Sequence, residues 1–211
     1  SIESMLWNIP GLSEYFIYLN DDFFFNATAK IEDFLQDDHV VVYGHWESTF
    51  ALKTKLKYRQ FLQKQFNKPV QPKHMIAQML SADILGMKKF FEIHHYPHIV
   101  DRKTLSEYFL TQPELLETQI KFKFRSVDQV NPITLMNHLK IQKNQANLQP
   151  DIDLAYLKNE QSVDAFLHAV NHPEIKYGCI QSLDQLDGMA AERIVHVMND
   201  KFKGFLPNSI Q

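Results

Sequence analysis

Tyr15-Phe-Ile-Tyr-Leu-Asn-Asp-Asp-Phe-Phe-Phe25 is the stretch whose reading decides the fold. Aromatic and β-branched residues predict a strand over Tyr15–Leu19, and the apolar run resumes as Phe23-Phe24-Phe25 after Asn20-Asp21-Asp22. Two adjacent carboxylates inside so apolar a run are costly to bury unless something cationic faces them. At the carboxyl end of a strand in an open α/β sheet, acids reach the ligand crevice. Asn20, Asp21 and Asp22 are oxygen-rich and sulfur-free, which suits Mg2+ or Mn2+; such ions take one or two carboxylates plus substrate phosphates. Asn-Asp-Asp is equally β-turn chemistry, and on residue types alone the two readings stand level.

Working outward, Ser1 to Trp7 reads as a helix end stopped by Pro10-Gly11, and Ile31 to Leu35 as a short helix. His39-Val-Val-Val-Tyr-Gly44 predicts a buried strand. A long helix over Ser48–Phe66 is broken by Pro69 and Pro72, and helical spacing resumes over His74–Met87. This Lys-bearing region, about 48–88, reads as a helical lobe. Phe90–Ile93 is a strand candidate running into a turn at His94–His98. Asp101 caps a helix through Leu110, and Pro113 opens another through about Phe122. Lys121-Phe-Lys-Phe-Arg125 alternates like a strand, and Asn131-Pro132 opens a helix through Gln142. The polar segment Gln142–Pro150 reads as a loop or hinge. Leu154–Leu157 and Tyr177–Ile180 are strands, while Val163–Val170 and Met189–Phe202 are helices. Strands alternating with helices, with helices in excess, predict an α/β protein.

The 211 residues suffice for a substantial core, and 45% apolar with 12% aromatic residues excludes disorder. A net charge of −3 provides no basic field for nucleic acid. The single Cys179 excludes an intramolecular disulfide framework and a multi-cysteine zinc site. No apolar run reaches membrane-spanning length. Walker A, G-x-G-x-x-G, H-E-x-x-H and nucleophile-elbow patterns are missing, which removes the commonest NTPase, dehydrogenase, zinc-protease and serine-hydrolase readings.

His94, His95 and His98 fall within five residues, beside Pro97 and before Asp101-Arg102. Imidazole there can act as general base, phosphate donor or metal ligand, whereas any one of the three alone is better read as a turn histidine. Arg125 could fork onto phosphate oxygens or be a surface charge. His45-Trp46 could stack on a sugar or simply pack, and the Lys53–Lys64 run reads as a solvated face.

Taken together, these segments resemble the Stealth family of sugar-phosphate transferases, which holds bacterial capsular polysaccharide phosphotransferases and the animal lysosomal-enzyme N-acetylglucosamine-1-phosphotransferase. The resemblance runs through Ile2-Glu-Ser4, Ile9-Pro-Gly-Leu-Ser-Glu14 and Tyr18-Leu-Asn-Asp-Asp22. It continues at His95-Tyr-Pro-His-Ile-Val-Asp-Arg102, at Phe124-Arg-Ser126 through Asn131-Pro132, at Tyr177-Gly-Cys-Ile180 and at Leu206-Pro-Asn-Ser209. It implies a partly Rossmann-like, glycosyltransferase-A-like mixed sheet with many helices. It also implies transfer of a hexose- or hexosamine-1-phosphate from a UDP-sugar to a hydroxyl of an oligosaccharide or polysaccharide acceptor, with release of UMP. In that chemistry Asn20, Asp21 and Asp22 hold Mg2+ (or Mn2+) against the diphosphate. His95 or His98 serves the acceptor hydroxyl or the phosphoryl group, and Arg102 and Arg125 stabilise phosphoryl charge. The setting implied is the bacterial cytoplasm, peripheral to the inner membrane beside the capsule machinery.

Two departures stand out. The family's first block is missing, so residues 1–211 are expected to be the C-terminal part of one catalytic domain. Gln181-Ser182 stands where the family carries Asn-Asp, leaving Asp184 or Asp187 to compensate. The rival readings are a metal-dependent phosphodiesterase and a non-catalytic glycan-binding module.

Overall fold

The computed structural model describes residues 3–66 and 71–205. Pro69 and the motif Leu206-Pro-Asn-Ser209, like Ile2, lie outside the described residues. The chain divides into two compact units. One takes residues up to 18, 30–94 and 98–152, and the other 19–29, 95–97 and 153 onward.

In the first unit, a 3-10 helix at Glu3–Asn8 precedes β1 (Tyr15–Tyr18). The second unit then takes β2 (Phe23–Phe25). Back in the first, the segment expected to be helical at Ile31 is a single 3-10 turn, Ile31–Asp33, followed by β3 (Leu35–Gln36) and β4 (His39–Tyr43). Asp37 and Asp38 both sit at positive φ between these strands, the conformation a tight hairpin requires. Next come β5 (His45–Ser48), α1 (Thr49–Phe66), α2 (His74–Asp83), β6 (Lys89–Glu92) and β7 (His98–Asp101). The unit closes with α3 (Arg102–Thr111), α4 (Pro113–Lys121), α5 (Pro132–Gln142) and β8 (Ala146–Gln149).

Its strands form small sheets. β1 pairs antiparallel with β7, β5 antiparallel with β6, and β4 lies between antiparallel β3 and parallel β8. The pairing of β8 corrects the expected loop at Gln142–Pro150. The alternating Lys121–Arg125 segment is not a strand either; α4 ends at Lys121 and the chain bends. Burial decides this, because the Gln119 side chain reaches forward, donating to Asp128 O and accepting from Val130 N, and so folds 122–130 back on α4. Caps set the helices as the residues predict. Asp101 and Asn131 accept from Thr104 N and Thr134 N, and Pro113 and Pro132 open α4 and α5. Helices α1 and α2 share a core with β6 through Leu56, Ile76, Met79, Ala82 and Phe90.

The outgoing end of β6 is held by buried side chains. His138 Nε2 accepts the Phe91 N–H at 2.8 Å. The Gln78 amide brackets Ile93, accepting its N–H and donating to its carbonyl, both at 2.9 Å. Buried backbone groups need such partners where a ladder does not continue. The histidine segment therefore leaves a fixed strand end.

The second unit joins β2 to β9 (Ala155–Leu157), α6 (Val163–Val170), β10 (Tyr177–Ile180) and α7 (Gly188–Phe202). β10 is the central strand, antiparallel to β2 and parallel to β9. Leu157, Phe166, Val170, Ala190 and Ile194 form its core, with Phe24 packed against them. The Phe24 ring lies over Gly178, where a Cβ would come within 2.1 Å of it, so glycine is required at that position.

Candidate functional site

Asn20, Asp21, Asp22 and His95 belong to the second unit; His98, Arg102 and Arg125 belong to the first. The acidic trio is a turn as well as an acid cluster. Phe23 N donates to Asn20 O at 3.1 Å, and Ile180 N donates to Asp22 O at 2.8 Å, tying the turn to the end of β10. The turn reading of Asn20-Asp21-Asp22 is therefore what the backbone shows.

Asp21 and Asp22 line an open cavity of about 560 Å3 with Ile180, Gln181, Ser182, Leu183 and Asp184. Apart from Ile180 and Leu183, every lining side chain offers oxygen. Asp184, one of the two acids expected to make up for Gln181-Ser182, lines this cavity. Asp187 does not; its carboxylate caps α7 at Ala190 N, 2.8 Å away. Ser182 adopts a left-handed conformation (φ 55°), an uncommon choice for a non-glycine residue and frequent at ligand sites.

Beneath the cavity, the Cys179 thiol donates to Asp22 Oδ2 at 3.3 Å. Burial, and next the hydrogen bond to Asp22, push the thiol far above its ordinary range, so it is a donor and not a nucleophile. Tyr156 donates its hydroxyl to Gln181 Oε1 at 2.7 Å. Burial, then Cys179 and Asp22, raise the Tyr156 pKa. His95 packs against that ring, 5.5 Å between centroids, and meets Phe23 edge-on at 6.0 Å. The structure therefore gathers Asp21, Asp22, Asp184 and, one ring away, His95. Cys179, Tyr156 and Gln181 are supports that the residue patterns did not single out as site residues.

Among the described residues, the acids of this cavity do not converge as three ligand atoms on one point. Two carboxylates beside an open, oxygen-lined space nevertheless fit Mg2+, which keeps waters and takes substrate phosphate oxygens for the rest of its shell.

In the first unit, His98 opens β7 opposite Tyr18 and is buried. Arg102 follows the N-cap Asp101, whose carboxylate also pairs with buried Lys140. Burial alone would raise the Asp101 carboxyl, but the bonds from Lys140 and Thr104 outweigh it and hold the group below its usual value. The Arg102 guanidinium donates from Nε to Trp7 O (2.7 Å) and from Nη1 to Leu12 O (2.8 Å). It lines a cavity of about 400 Å3 with Trp7, Asn8, Glu14, Lys103 and Ser106. Arg125 is exposed at the rim of a smaller cavity shared with Glu3, His74 and Asn131. His94 stands apart from its neighbours in another grouping, with His45 and Asp151.

No protein-family model matches the chain. It is 28% identical over 155 residues to a receptor polysaccharide phosphotransferase (WefC) of Streptococcus gordonii, covering 62% of this chain and 44% of that protein. It is 24% identical over 230 residues to a capsular polysaccharide phosphotransferase (WcwK) of Streptococcus pneumoniae, covering 98% of this chain and 67% of that protein. An exopolysaccharide phosphotransferase of Lactiplantibacillus plantarum is 50% identical over 38 residues, 18% of this chain and 11% of that protein. The chain spans less than half the length of the WefC proteins it matches. Among the described residues, no helix is long and apolar enough to cross a membrane. By sequence, this chain is a relative of bacterial polysaccharide phosphotransferases.

Proposed function

We propose that the chain carries the acid and histidine portion of a Stealth-type sugar-1-phosphate transferase, with the glycosyltransferase-A-like arrangement that resemblance implies. The donor is a UDP-sugar, first of all a UDP-hexosamine. The acceptor is a glycan hydroxyl, and the products are UMP and a phosphodiester-linked capsular polymer. The observation that carries the reading is the oxygen-lined cavity containing Asp21, Asp22 and Asp184, with His95 one aromatic ring away. The polysaccharide phosphotransferase relatives support the reaction class.

In this reading Asp21 and Asp22, with Asn20 at the same turn, hold Mg2+ or Mn2+, which when bound neutralises charge on the diphosphate. Asp22 is kept in place by the Cys179 thiol and by its own carbonyl's bond to Ile180 N. His95, oriented between Tyr156 and Phe23, takes the proton of the acceptor hydroxyl. His98 is the alternative imidazole for that role. Arg102 and Arg125 answer charge on the phosphoryl oxygens. Attack at phosphorus leaves the sugar's anomeric configuration unchanged. The protein works in the bacterial cytoplasm, at the inner membrane beside the capsule machinery.

Electron paramagnetic resonance of Mn2+ tests the site. Wild-type protein should bind Mn2+ more tightly when UDP is present, and the Asp21→Ala/Asp22→Ala double variant should lose that enhancement. Equal UDP-dependent binding by both proteins would refute the assignment. A glycan-binding module would instead keep glycan affinity in the double variant and show no metal requirement.

A further inference from the structure

A second cluster of ligating side chains stands in the first unit, built by three separate chain segments. His45 opens β5, His94 follows β6, and Asp151 follows β8. One carboxylate faces two imidazoles: Asp151 Oδ2 is 2.7 Å from His45 Nδ1, and Oδ1 is 3.2 Å from His94 Nε2. The two rings are 5.6 Å apart. All three ligand atoms lie within 4.8 Å of one another. On the opposite side of the His45 ring, Nε2 faces Glu92 at 3.8 Å and Glu47 at 3.7 Å.

We propose that His45, His94 and Asp151 bind a divalent ion of the borderline class, Zn2+, at a site separate from the Asp21–Asp22 cavity. The donor set decides the class. Two imidazoles and one carboxylate suit zinc and its neighbours, whereas Mg2+ prefers oxygen ligands and waters. Three protein ligands leave a fourth position for water or a substrate atom. Glu92 is buried to 8% exposure and faces the other nitrogen of His45, the placement of an outer carboxylate that fixes a metal-binding imidazole. Charge points the same way. Three carboxylates, Asp151, Glu47 and Glu92, surround the two imidazoles, and a doubly positive ion offsets most of their negative charge.

The backbone frame of the cluster is fixed. His45 pairs across the β5–β6 ladder with Glu92, and β8 runs beside β4 with Tyr43 opposite Gln149. Gly44 N donates to Gln149 O at 3.0 Å. A Cβ at Gly44 would come within 2.0 Å of the Glu92 carbonyl, so this corner tolerates only glycine, and all three ligand-bearing segments meet there.

Untagged protein stripped with a chelator and titrated with Zn2+ against a fluorescent chelator tests the proposal, with Co2+ absorption reporting the ligand set. The wild type should take up one zinc per chain at this site and give the Co2+ band of a four-coordinate nitrogen–oxygen site. His94→Ala and Asp151→Asn should each weaken zinc at least tenfold and remove the band, and Glu92→Gln should weaken it by about 10-fold through the outer contact. Because the His94 and Asp151 side chains are 43% and 40% exposed, circular dichroism should show these variants folded; His94→Gln serves in place of any that is not. The Asp21→Ala/Asp22→Ala variant should keep the zinc stoichiometry and the Co2+ band. Absence of stoichiometric binding, unchanged binding in the His94 variants, or loss of zinc in the Asp21/Asp22 variant would each overturn it.

Discussion

Acidification should loosen the strand that delivers His94 and His95, through a single buried imidazole. His138 has no solvent exposure, and its Nε2 accepts the Phe91 N–H, so the neutral ring carries its proton on Nδ1. That nitrogen is buried without a hydrogen-bond partner. Burial lowers the pKa from 6.5 to about 4. Between those values the unfolded chain binds a proton that the folded chain refuses, so stability rises with pH in that window. The contribution is fully present above pH 6.5 and is lost as the pH falls towards 4. At about 1.4 kcal/mol per pKa unit, the whole loss is about 3 kcal/mol. Urea unfolding of wild type and His138→Gln across pH 7.5 to 4 isolates this term, because every other titrating group is common to both. The wild type should lose about 3 kcal/mol more than the variant over that range. Parallel loss in the two proteins would refute the reasoning.

Other expectations follow from the same contacts. Lys140→Met strands the buried Asp101 carboxylate at the N-cap of α3 and should cost about 3 kcal/mol or more in urea unfolding; a neutral effect would show that the pair is dispensable. Gly178→Ala forces a methyl group into the Phe24 ring and should lower thermal stability measurably, whereas Gly188→Ala, with open space around it, should not. Cys179 should resist iodoacetamide in the native protein and react only once unfolded, as read by mass spectrometry, because it is fully buried and its thiolate is disfavoured.

How far the residues foretold the structure depends on how local each signal is. Asp101, Pro113, Asn131-Pro132 and the Val163–Val170 pattern place their helices closely, because caps and helical periodicity are complete within a turn or two. β8 escaped because Ala146-Asn-Leu-Gln149 is a polar edge strand, and its partner β4 lies about a hundred residues earlier. Lys121–Arg125 misled because five alternating residues are too few to outweigh the pull of the buried Gln119 side chain. The acid turn was visible at Asn20-Asp21-Asp22, since charges inside an aromatic run stand out. Its supports were not: Tyr156 and Gln181 look ordinary until β9 and β10 lie side by side. His94 and His45 stood out singly, but their grouping with Asp151 did not, because the three are separated by some fifty residues each and meet only through sheet register.

Acceptor dependence of UMP release puts the proposed chemistry to its most direct trial. With a UDP-N-acetylhexosamine, Mg2+ and a short phosphoglycan primer, the account predicts UMP formation that needs both metal and primer, yields a phosphodiester-extended primer, and falls by about 100-fold or more in Asp22→Asn. UMP released equally well without primer, or at an undiminished rate in Asp22→Asn, would contradict it.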